Sequence, residues 1–142
     1  MDAKIVDLMK TNAIFASAHQ TIGHVKAIFS NNGLTMLPVV DKDEFVVGVI
    51  SIKDILKEES DTKKVESVMI TKVYTIPQYE KAQTAARMMR NHKIHHLIVT
   101  HEKKLKGIIS SFDLLKLIEN HRFIQKNMGT KPSKHQSTSL MS

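Results

Sequence analysis

The sequence predicts an α+β fold: two β-α-β-β-α repeats packed with pseudo-two-fold symmetry. Three observations carry that prediction. Blocks of matching residues recur at a nearly constant offset, helix-like apolar stripes alternate with short β-prone runs, and each repeat closes with the same Gly-x-x-Ser-x-x-Asp pattern. Self-similarity at a fixed period is the signature of repeat architecture.

Each repeat opens on a Val-x-x-Met-like start. Val6-Asp7-Leu8-Met9 matches Glu66-Ser67-Val68-Met69 at an offset of 60, and Thr11 matches Thr71. Short β-prone runs follow at 13–16 (AIFA) and 73–76 (VYTI). Apolar residues spaced for one helical face then occupy 20–32 and 79–92, where Ile22, Val25, Ile28 and Phe29 match Ala82, Ala85, Met88 and Met89. Thr21 and Gln78 stand near the expected helix starts, and Asn32-Gly33 marks the first helix's end. Leu37-Pro38-Val39-Val40 and Leu97-Ile98-Val99 pair through a polar turn with Val46–Ile50 and Leu105–Ile109 as β-hairpins. The offset drops to 59 across that turn, where losing one residue is tolerated. Ser51 and Ser110 lead into helices at 53–59 and 111–121, with Asp54 and Asp113 in their first turns. The expected division is repeat one over 1–60, repeat two over 61–121 and a flexible basic tail over 122–142.

Composition narrows the function classes. The chain has no cysteine and no Trp, so disulfides and cysteine-based zinc sites are excluded and the core rests on Ile, Leu, Val and Met. Charges at Asp2, Lys4, Asp7 and Lys10 leave no apolar signal segment, and no apolar run approaches a membrane span. A soluble, cytoplasmic protein without membrane contact is the expectation. Of the net charge of +7, residues 120–142 supply +4 through Arg122, Lys126, Lys131 and Lys134. The body is therefore weakly basic, and nucleic-acid binding is expected only as a weak activity of the tail. Catalysis is not expected. The chain shows no Ser-His-Asp order with a nucleophile turn and no HExxH, and its five glycines form no phosphate-cradling loop.

The Leu37-Pro38-Val39-Val40-Asp41 strand, the doubled Gly-x-x-Ser-x-x-Asp signature and the doubled opening resemble the CBS (cystathionine-β-synthase) domain. Over about residues 4–119 the chain is similar to a tandem CBS pair, or Bateman module. The resemblance implies a regulatory module that binds an adenosine-containing ligand (AMP, ADP, ATP or S-adenosylmethionine) in clefts between the repeats. It implies no catalytic cofactor, a homodimer, and signalling to an effector protein. Carried onto this sequence, Asp54 and Asp113 meet ribose hydroxyls, and Ser51 and Ser110 lie near ribose or phosphate. The first-strand segments hold adenine, here Thr11, Ala13 and Ile14, and Thr71, Val73 and Tyr74. The basic residues just before the Leu-Pro-Val strand meet phosphate, here His95 and His96 in repeat two. Repeat one has Thr35 and Met36 at those positions, which suit a polyphosphate less, with Lys53 compensating, and Pro38 of the strand counts among the ligand-binding residues. A ligand-free dimerisation module remains the alternative.

The chemistry suits those residue types. A carboxylate accepts from two adjacent ribose hydroxyls at once, and such charge-assisted bonds are strong. At a helix N-terminus it also meets the positive end of the dipole, beside free N–H groups suited to phosphate. The bland readings are a helix-start charge for each Asp and an N-cap for each Ser. For His92-Lys93-Ile94-His95-His96 the readings are phosphate contact, a polar loop, or a metal site that three histidines under-specify. Glycine before the signature Ser is expected to let backbone approach ligand closely. Repeat two alone has the histidine pair and lacks the strand Pro, which frees a backbone N–H. The expected preferred site is the one around Asp113.

Overall fold

The computed structural model describes the backbone of residues 2–127 and the side chains through Glu119; Met1 and most of the expected basic tail, from residue 128, lie outside the described residues. Two sheets carry the fold. The first orders β2 (Ala16–Ser17), β3 (Met36–Val40) and β4 (Val46–Ser51), with β2 parallel and β4 antiparallel to β3. The second orders β1 (Lys10–Thr11), β7 (Lys104–Ser110), β6 (His96–His101) and β5 (Thr75–Pro77).

The helices follow from local rules. The helix α2 (Ile22–Asn32) starts at Thr21, whose hydroxyl accepts from the His24 N–H, and stops at Gly33 in the left-handed conformation (φ 62°). Its partner α4 (Ala82–His92) starts three residues later than the periodicity suggests. There Glu80 accepts from the Lys81 N–H and the Thr84 hydroxyl in place of a side-chain cap. Short α3 (Ile52–Leu56) follows Ser51, whereas α5 (Ser111–Asn127) runs six residues past the expected 121. No helix among the described residues is long and apolar enough to cross a membrane.

Two features depart from the sequence expectation. The first-strand runs pair later than 13–16 and 73–76. Asn12 takes a left-handed backbone (φ 56°), which breaks extension, and β2 begins only at Ala16 while β5 begins at Thr75. Short helical turns, α1 (Ile5–Leu8) and a 3-10 turn at Val65–Ser67, occupy the repeat openings.

Those openings are exchanged between the cores. Ile5, fully buried, packs with Ile76, Ala85, Met89, Leu97, Val99 and Ile109 of the second repeat. Val65, equally buried, packs with Ile22, Val25, Phe29, Leu37 and Ile55 of the first. Matching backbone bonds fix both: Ile5 N–H to Glu80 O and Ala82 N–H to Ala3 O, against Val65 N–H to Gln20 O and Ile22 N–H to Lys63 O. Burying each β-branched side chain is worth roughly 1.5–3 kcal/mol, enough to anchor a crossing made by so few residues.

The crossing explains the signature glycines. Beyond α1 the chain lies antiparallel on β7, with Thr11 opposite Gly107. A Cβ at Gly107 would collide with the Lys10 carbonyl oxygen and come within 3.1 Å of Met9 Sδ. Gly48 admits the Met69–Ile70 segment in the same way, where Val49 and Ile70 exchange both backbone bonds. These glycines make room for the exchanged backbone, not for a ligand as the sequence suggested. Gly107→Ala is expected to destabilise the fold by about 1–3 kcal/mol, and Gly48→Ala by less, since a flexible methionine stands first in the way there. Urea denaturation of both variants checks the order.

Candidate functional site

A cavity of about 490 Å³ opens where the exchanged first segment meets the second repeat. One wall is Lys10–Ile14 with Leu34, Thr35 and Met36; the other is His95, His96, Ile108 and Ser110–Asp113. It therefore joins the first-strand segment of repeat one to the signature Ser and Asp of repeat two. Thr11, Ala13, Ile14, Met36, His95, His96, Ser110 and Asp113 come together here. Thr71, Val73, Tyr74, Ser51, Lys53, Asp54 and Pro38 do not line it. Lys10, Asn12, Leu34 and Ile108 are lining residues that sequence reasoning missed. Ile108 had a signal: it stands two residues before Ser110 on one strand, hence on the same face.

Asp113 is the most unusual group in the cleft. It is 1% exposed, the one charged residue among the buried residues described. Its Oδ2 accepts the Ser110 N–H at 2.9 Å, and the Asp113 N–H donates to Ser110 Oγ at 3.1 Å, a reciprocal cap for α5. Its Oδ1 has no hydrogen-bond donor among the described residues. Lys116 Nζ stands 3.8 Å from that atom, an ion-pair distance too long for a hydrogen bond. A buried acceptor left in this state costs about 1–3 kcal/mol.

The matching Asp54 is differently placed. It is half-buried, and its Oδ2 takes both the Ser51 N–H at 3.2 Å and the Ser51 hydroxyl at 2.8 Å. The serine hydroxyl that caps α3 is thus turned onto its own aspartate. Nearby Tyr74 stacks on His92 with centroids 4.2 Å apart, and Lys72 Nζ lies 5.9 Å from the tyrosine ring. So the histidine cluster is split: His92 ends α4 against Tyr74, while His95 and His96 line the cavity.

His96 has its pKa lowered below 6.5, first by desolvation and then by His95 and Lys10, with Asp113 opposing. The neutral imidazole is therefore favoured, which leaves it able to donate one N–H and to gain charge if an anion arrives. No group of three or more His, Asp or Glu among the described residues is arranged to hold a metal ion.

Comparison with known proteins agrees with this architecture. The CBS domain family model matches residues 5–61 and 65–120, and the chain belongs to that family as a tandem pair, a regulatory module. It is 32% identical over 120 residues to a homoserine O-acetyltransferase of Methanosalsum zhilinae, covering 83% of this chain and 24% of that protein. It is 31% identical over 114 residues to an inosine-5′-monophosphate dehydrogenase of Methanocaldococcus jannaschii, covering 80% and 23%. The chain thus spans about a quarter of the length of these relatives. Among solved structures, the CBS domain pair of protein MJ0100 in complex with 5′-methylthioadenosine and S-adenosyl-L-methionine superposes with a TM-score of 0.72 at 25% identity, covering 85% of this chain and 99% of that one. An acetoin utilization protein from Vibrio cholerae shares the fold with a TM-score of 0.76 at 24% identity, covering 93% and 100%.

The lowered His96 pKa sets a direction for stability. Below about pH 6.5 the unfolded chain takes up a proton that folded His96 resists, so stability falls as pH drops through that range. His96 is exposed as a residue, so solvent screening keeps the effect small. Urea denaturation at pH 7.5 and 5.5 should show a larger loss in the wild type than in His96→Gln; equal losses would rule the assignment out.

Proposed function

We propose that this CBS pair binds one adenosine-containing ligand, an adenine nucleotide or a related adenosyl compound, in the Asp113 cleft, and that occupancy signals to a partner. The observation that carries the reading is the buried Oδ1 of Asp113, without a hydrogen-bond donor among the described residues, beside a cavity of suitable size. A ribose diol supplies the missing donor, and its second hydroxyl reaches the same carboxylate. Ser110 keeps a hydroxyl hydrogen to give while its oxygen caps α5. Ile14, Met36 and Ile108 offer an apolar slot for the base, and Lys10, His95 and His96 the cationic and N–H side for a phosphate. The module supplies no chemistry of its own in this reading; it binds and reports.

The comparison supports the ligand class. At 25% identity, one neighbour is a CBS pair in complex with two adenosyl compounds. A thermal-shift series with AMP, ADP, ATP and S-adenosylmethionine tests it. A ligand at a hundred times its Kd should add about 2.7 kcal/mol, on the order of 10 °C in a domain of this size. Asp113→Ala should abolish the shift. Asp113→Asn, which retains an oxygen for the cap, should lose most of it while keeping α5 capped. A shift that survives both variants overturns the Asp113 assignment.

We also propose a homodimer. The apolar faces of α2 and α4 are consumed in the two cores. The face left over lies on α5, where Phe112, Leu115 and Ile118 are 73%, 52% and 56% exposed at helical spacing. Leu56 of α3, the counterpart of Leu115, is 75% exposed. A second copy covering these residues would bury that stripe. Light scattering at working concentration should give twice the chain mass, falling to one chain on Leu115→Glu; a monomeric wild type would refute it.

A further inference from the structure

We infer that Pro38 holds the ligand cleft open, that Ile98 holds its counterpart shut, and that the chain therefore has one site per two repeats. The two positions match at the offset of 60. In repeat two, β5 pairs with β6 from Thr75 opposite Ile98 onward, and the Ile98 N–H donates to the Tyr74 carbonyl at 3.3 Å. In repeat one the same register begins one pair later, at Ala16 opposite Val39. The matching bond cannot form, because Pro38 has no N–H to give to the Ile14 carbonyl.

The consequence falls beside the cleft. Ala13 and Ile14, to which Pro38 gives no such bond, line the 490 Å³ cavity. Tyr74, tied down by Ile98, is held where it stacks on His92. A proline inside the central strand of a three-stranded sheet is otherwise costly, since it gives up a ladder bond. Here the bond given up is the one that would zip the segment closed. In this proposal the Ile14 carbonyl, left without that bond, accepts from a base with an amino group on that edge and disfavours one with a carbonyl. Pro38 touches no ligand in this account; it is a positioning residue.

The inference rests on the proposed adenosyl ligand, and its test separates the two. Titration calorimetry on the full chain, with AMP and IMP as probes, should give one AMP per chain and IMP binding at least tenfold weaker. Pro38→Ala restores an N–H without bulk. It should weaken AMP about tenfold and bring the AMP-to-IMP ratio toward one. Independently of any ligand, the backbone amide that Pro38→Ala introduces should be protected from hydrogen exchange, as the Ile98 amide is in the wild type. Ile98→Pro should add a second AMP site; should it fail to fold, the Pro38→Ala measurements decide alone. Two AMP sites in the wild type, or a Pro38→Ala variant with unchanged AMP-to-IMP ratio and a freely exchanging new amide, would overturn the gate while leaving adenosyl binding intact. A wild type that binds neither AMP, ATP nor S-adenosylmethionine removes the functional reading and this inference with it.

Discussion

The exchange of the two opening segments is the constraint on which the rest depends. A β-α-β-β-α unit of this length buries too little surface to stand alone. Sending Ile5 into the second core and Val65 into the first makes each core incomplete without the other repeat. The crossing strand needs backbone-to-backbone approach at Gly107, which only a missing Cβ allows. From this one contact follow the placement of Lys10–Ile14 on β7 and the wall that those residues give the cleft.

Much of the fold was legible in the sequence because repetition is a local signal read twice. The hairpins, α2 with its Gly33 stop and the Ser51 and Ser110 starts all followed from period, turn residues and caps. The exchange was not legible. Val6–Met9 and Glu66–Met69 look alike, and nothing in a periodic pattern states which copy of a core an apolar residue enters. The site inherited that blindness. Asp113 and His96 could be named, yet their partners across the cleft are Thr11–Ile14 and Met36, not the first-strand residues of their own repeat. The late start of β2 was equally hidden, because the left-handed turn at Asn12 is a choice of tertiary context that Asn permits without announcing.

The shared Gly-x-x-Ser-x-x-Asp signature of the two repeats conceals a division of labour in hydrogen bonding. Ser51 and Asp54 satisfy each other through the hydroxyl as well as the backbone, so that pair closes on itself. Ser110 and Asp113 keep the capping bonds and leave one carboxylate oxygen without a donor. One arrangement is a finished helix cap; the other is a cap with spare acceptor capacity at a cavity wall. The same motif thus serves stability in one repeat and leaves a polar deficit in the other, and motif matching alone cannot tell them apart.

That deficit bears on how binding could be felt elsewhere. A ligand shifts an equilibrium only by its difference in affinity between two states, so a sensor needs a group whose satisfaction depends on occupancy. In the proposed reading the Asp113 oxygen that lacks a hydrogen-bond donor is such a group, and it stands in the first turn of α5. Phe112, its neighbour, both lines the cavity and begins the exposed stripe that continues through Leu115 and Ile118. Any adjustment that brings a donor to Asp113 therefore acts at the base of α5, whose Phe112, Leu115 and Ile118 the two cores leave exposed. The cleft and the surface most in need of a partner are joined by a single helical turn.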